Sequence, residues 1–97
     1  MTKLALIGTI EVAPGTRDQL LAALTAHKTR CLADEPGTLQ FEILVPRESE
    51  TQVLLYELYE NDAAFETHRN GSSIAQFRAE TAAFVTALRV AKCALAA

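Results

Sequence analysis

Thr51-Gln52-Val53-Leu54-Leu55-Tyr56-Glu57-Leu58-Tyr59-Glu60 is the stretch on which the fold turns. Its leucines, valine and tyrosines favour a strand. Strand side chains alternate between two faces, so Val53, Leu55, Glu57 and Tyr59 share one face, while Leu54, Tyr56 and Leu58 share the other. Both faces are largely apolar. A layer of helices covers only one side of a sheet, so this strand implies a further cover for its second side, and a second copy of the chain is the economical one.

Upstream, Pro46-Arg47-Glu48-Ser49-Glu50 is polar and turn-like. Before it, Leu39, Phe41, Ile43 and Val45 alternate with Gln40, Glu42 and Leu44. The short link predicts an antiparallel hairpin. Asp34-Glu35-Pro36-Gly37 ends a helix around Ala33 and turns the chain. That helix starts at Gly15 or Thr16, carries Asp18 in its first turn, and repeats Leu20, Leu24, His27 and Cys31 along one buried stripe. A first strand spans Leu4–Val12. Its mid-strand Gly8 predicts a bulge or a close approach of another group.

Downstream, Asn61 or Asp62 caps a helix through His68. Asn70-Gly71-Ser72-Ser73 interrupts it, and Ile74, Phe77, Thr81, Phe84 and Leu88 recur at helical steps. A short last strand is expected over Val90–Leu95. The order strand, helix, strand, strand, broken helix, strand is the α+β, ferredoxin-like split βαβ arrangement: a four-stranded antiparallel sheet with helices on one face, which would pair into a dimeric α+β barrel.

The 97 residues suit one domain spanning 1–97. At this size only about 60–65% of the unfolded surface is buried, so a partner surface helps. Nine basic against twelve acidic residues, with no basic cluster, disfavour nucleic acid. The N-terminal apolar run is brief, and charge returns at Glu11, so it reads as a strand rather than a secretion signal. No run is long enough to span a membrane. A cytoplasmic protein is expected, with Cys31 and Cys93 as free, core-filling thiols.

Two stretches carry a resemblance: Glu35-Pro36-Gly37-Thr38-Leu39-Gln40-Phe41-Glu42-Ile43, and Leu55-Tyr56-Glu57-Leu58-Tyr59-Glu60-Asn61-Asp62-Ala63-Ala64-Phe65-Glu66-Thr67-His68. The chain resembles the antibiotic biosynthesis monooxygenase (ABM) family from the first strand and its Pro14-Gly15 turn to about Phe77. The resemblance implies a homodimer formed through the sheet face. It also implies one of several activities: cofactor-independent monooxygenation of quinols or polyketides, isomerisation of a small carbonyl compound, or haem degradation. The departures narrow this. Thr38 stands where many members have cysteine. Ser73 and Ile74 replace a second histidine and an aromatic residue, and Tyr59 replaces a tryptophan. Gly8 stands where haem degraders use asparagine. The last two argue against haem degradation.

His68 is the candidate catalytic base, since imidazole exchanges protons near neutral pH. Phe41, Glu57, Tyr59, Phe65, Ser73 and Phe77 are candidate substrate-binding residues. Phe84 is read with the phenylalanines as apolar wall or core, and His27 as a core or edge histidine that could reach the same cavity. The histidines and carboxylates show no ligand spacing, so no metal site and no cofactor are expected. The expected function is a cofactor-independent monooxygenase that uses dioxygen on a small aromatic or quinol-type substrate. The alternatives are a non-catalytic ligand-binding dimer and an isomerase of the same fold.

Overall fold

A computed structural model describes residues 2–97. The chain runs β1 (Leu4–Val12), α1 (Arg17–Asp34), β2 (Thr38–Leu44), β3 (Gln52–Tyr59), α2 (Asp62–Arg69), α3 (Ser72–Thr81) and β4 (Val85–Ala94). The sheet order is β2-β3-β1-β4 with every pairing antiparallel, which is the ferredoxin-like split βαβ topology.

Alternation sets the two faces of the sheet. Val53, Leu55, Glu57 and Tyr59 are buried beneath the helices. The core above the sheet is divided in two. Leu20 and Leu24 of α1 pack on Ile10, Val12, Phe41, Val53 and Leu55, while Leu4, Leu6, Tyr59 and Phe65 form a second cluster. Each fully buried leucine contributes ~1.5–3 kcal/mol of transfer free energy. On the opposite face Ile7 and Leu44 are 43% and 49% exposed, and Leu54, Tyr56 and Leu58 are half-buried.

Local chemistry sets the boundaries. Gly15 takes a φ of 83° in the turn before α1, a conformation that costs glycine nothing. Asn61 caps α2, its side chain accepting from the Ala64 N–H at 2.8 Å. Gly37 is required by proximity, because a Cβ there would lie 2.4 Å from the Ala64 Cβ.

Several expectations are corrected. The helical spacing through Phe84 and Leu88 does not continue the helix: α3 ends at Thr81, Phe84 sits in the following turn, and β4 starts at Val85, five residues before the expected Val90. The exposed edge of β1 offers a ladder along its whole length, and pairing there outweighs the i, i+4 pattern. Leu39 does not share a face with Phe41 and Ile43. A register shift between Thr38 and Gln40 makes it the extra residue of a bulge, 43% exposed. Val45 lies beyond β2 and is 46% exposed. Gly8 sits at no bulge, and a Cβ there would make ordinary contact with Leu55 at 3.4 Å. Cys31 is fully buried as expected, but Cys93 is only partly covered, paired with Ala5 on the open side of the sheet.

Candidate active site

Between the two apolar clusters lies a buried polar layer. Helix α1 supplies His27 and Cys31 one turn apart, α2 supplies His68 near its end, and β3 supplies Glu57 and Tyr59 from the covered face. The α1–β2 turn adds Glu35. His27, Cys31, Glu57, Tyr59 and His68 are all buried, and every buried side-chain polar atom among the described residues has a partner.

The hydrogen bonds orient each group. The Glu35 carboxylate accepts from His68 Nδ1 at 2.8 Å and from the Thr38 hydroxyl at 2.9 Å. Nδ1 is therefore the protonated nitrogen of neutral His68, and Nε2 is the bare one, 3.8 Å from Glu57 Oε1. Glu57 in turn accepts a hydrogen bond from the Tyr59 hydroxyl. His27 Nδ1 lies 2.8 Å from Ser73 Oγ, which also accepts from Arg30 Nε at 2.9 Å.

Burial sets the protonation states. It lowers His27 to about 4, helped by nearby His68 and Arg30, so this ring is neutral at pH 7. Burial pushes the Cys31 thiol up to about 12, helped by the Glu35 charge, which rules out a ready thiolate nucleophile. Burial also raises Glu57, against the opposing effects of the Tyr59 hydrogen bond and His68. It raises Tyr59 above the ordinary phenol range, with Glu57 adding to the effect.

A cavity of about 290 Å³ opens beside this layer. His68, Phe41, Glu57, Phe65 and Phe77 line it, as does His27, whose ring stacks on Phe77 at 5.1 Å and 22°. Tyr59 and Ser73 stand behind that wall, bonded to Glu57 and His27. Gly8 lies in the floor, where a side chain would take up cavity space. Sequence reasoning missed Glu35, whose carboxylate could have been suspected only from its place in the acidic-Pro-Gly turn. It also missed Ile74, Leu88 and Val90 as wall residues.

Three metal-type donors come together where the sequence spacing predicted no metal site. Donor atoms of His27, Cys31 and His68 lie within 4.8 Å of one another. Two imidazoles and a thiol are zinc-type donors. A metal there would have to displace the thiol proton of Cys31, which burial holds firmly.

A ferredoxin-like sheet with a histidine-bearing cavity under its helices places the chain among small α+β proteins with a hollow between helix layer and sheet. Within that class the chain is an antibiotic biosynthesis monooxygenase family member, matched over residues 4–80. A mycobilin-producing haem oxygenase of Mycobacterium tuberculosis is 33% identical over 69 residues, 71% of this chain, and the match spans 65% of that relative's length. The Pseudomonas aeruginosa protein PA3566 superposes with a TM-score of 0.91 at 28% identity, covering 100% of this chain and 97% of its own. A Caulobacter crescentus structure assigned to the same family superposes at 0.93, with 16% identity and coverage of 99% and 92%.

Proposed function

We propose that the protein is a cytoplasmic, dimeric, cofactor-independent monooxygenase acting on a small aromatic or quinol-type substrate, with His68 as the base. The observation that carries this reading is a buried imidazole whose Nδ1 is fixed by Glu35 at 2.8 Å, leaving Nε2 as the basic nitrogen of a residue that lines an apolar cavity. His68 Nε2 takes a proton from the activated C–H or O–H of the substrate, and Glu35 stabilises the resulting imidazolium. The electron-rich anion reduces dioxygen and forms a C–O bond to it. The imidazolium returns its proton to the peroxide. Loss of water leaves a carbonyl, so a CH₂ group and O₂ become C=O and H₂O, and in a phenol the two hydrogens come from the O–H and the ring C–H, giving a quinone and H₂O. The substrate supplies both electron pairs, and the aromatic walls keep solvent from the intermediate.

The cavity lies at the lower end of the volume range of small-ligand sites, which suits one or two fused rings better than a macrocycle. With no side chain at Gly8 and the Tyr59 hydroxyl engaged by Glu57, haem is not the substrate proposed.

Oxygen uptake with a panel of quinols and hydroxylated aromatics tests the reading. Uptake above autoxidation is expected, falling about 10²–10⁴-fold in His68→Ala. A fully active variant, or no uptake with any substrate, removes the mechanism. Ser73 at the position of the second family histidine favours the other reading, a ligand-binding dimer without turnover. Tight binding without oxygen consumption would select it.

A further inference from the structure

The mouth of the cavity differs from its walls. The chain carries a formal charge of −3, yet Arg69 from α2, Arg78 from α3 and Lys92 from β4 all line this one opening. Among the described residues Glu57 is the only carboxylate on its wall; it is tied to Tyr59, and its burial favours the neutral acid. No second carboxylate lines this opening among the described residues. Arg69 is paired with Glu66 at 3.0 Å on the surface of its own helix. Arg78 and Lys92 make no ion pair among the described residues.

Their placement is complementary. Lys92 pairs with Leu6 across the β1–β4 ladder and holds its Nζ 4.9 Å above the Phe65 ring, against the cavity wall. Arg78 follows Phe77 on α3 and is exposed. One cation thus comes from the sheet edge and the other from the helix layer. An ionised group cannot follow an aromatic ring into the apolar interior without a large desolvation cost. At the mouth it would meet a planar five-donor guanidinium and an ammonium.

We infer that the ligand of this cavity is an aromatic compound bearing an acidic group, a carboxylate or its sulfonate or phosphate equivalent, which Arg78 and Lys92 hold at the mouth while the ring enters the apolar cavity towards His68. The inference rests on the reading of the cavity as the substrate site. It adds a direction of binding: the reacting position is at the end of the ring system remote from the acidic group.

The experiment is equilibrium binding, by calorimetry or ligand fluorescence, of hydroxylated benzoates and naphthoates whose two groups lie at opposite ends of the rings. Each is compared with its uncharged carboxamide. The acids should bind about tenfold or more tightly than the amides. In the Arg78→Gln/Lys92→Gln double variant acid and amide should bind equally tightly. Lys3→Gln/Arg47→Gln removes the same charge from exposed positions outside this cavity and should keep the preference; thermal melting verifies that both variants fold. Equal binding of acid and amide by the unaltered protein, or a preference that survives the loss of Arg78 and Lys92, overturns the inference and leaves the oxygenase reading standing. Failure of every acid and amide to bind removes the aromatic-site reading and the inference with it.

Discussion

His27 and His68 have rings 5.4 Å apart, but their surroundings give them different work. His68 has its Nδ1 held by the Glu35 carboxylate at 2.8 Å, with Nε2 turned towards Glu57. His27 meets a serine hydroxyl, an arginine beyond it, Cys31 and a second imidazole, all within an apolar frame, and is held neutral. The consequence is a pH-dependent stability. In the unfolded chain His27 takes a proton below about 6.5, whereas in the folded chain it does so only near 4. Between those values the unfolded state binds more protons, so stability falls as pH falls, by on the order of 3 kcal/mol in total, and levels off below pH 4. Denaturant unfolding from pH 7 to pH 4 should show this slope, and His27→Gln should flatten it whatever it does to stability at pH 7. An undiminished slope in the variant would assign the effect to other groups. At this scale the sequence was only partly legible. His68 stood out by its motif and His27 by its place on the stripe of α1, but nothing in the spacing announced that Glu35 and Cys31 would join them.

The elements were legible where local chemistry and tertiary demand agreed. Strands β1 and β3, helix α1 and the Asn61 cap fall where alternation, the leucine stripe and the asparagine place them. The failures occurred where pairing overrode pattern, in the early start of β4 and the bulge at Leu39. Contacts between elements also impose a constraint that no propensity reveals. Gly37 opens the way into β2 and lies against Ala64 of α2, so a methyl group at Gly37 would collide with another methyl rather than with a yielding side-chain tip. Gly37→Ala should cost ~1–3 kcal/mol by overpacking. Ala64→Gly in the same chain should recover part of that loss, beyond the glycine penalty inside a helix. A double-mutant cycle by chemical denaturation measures the coupling, and strictly additive effects would mean that the two elements separate without cost.

For the whole molecule, the feature the sequence showed most plainly was the doubly apolar third strand. The structure puts Val53, Leu55, Glu57 and Tyr59 under the helices and leaves Leu54, Tyr56 and Leu58 on the side without them. Ile7 and Leu44 extend that open surface across neighbouring strands. If it is the dimer face, Leu54→Lys or Leu58→Lys should give monomers or insoluble protein in sedimentation measurements. An unchanged sedimentation coefficient in both variants would exclude this face. What the sequence did not show is the cationic rim of the cavity, because it depends on side chains from α2, α3 and β4 meeting around one opening. Among the described residues no helix is long and apolar enough to cross a membrane.

The turn after α1 has a consequence for how this scaffold can be altered. Connections between elements are ordinarily where chains gain and lose residues, yet Glu35 bonds backwards to Cys31 through its N–H, forwards to Thr38 through its carbonyl, and sideways to His68. A single inserted residue would move the carboxylate off the imidazole even if both flanking elements stayed intact. The hairpin connection between Val45 and Thr51 carries no such obligation to the cavity. Grafts, tags and loop extensions belong there, while the α1–β2 turn has to be kept at its native length.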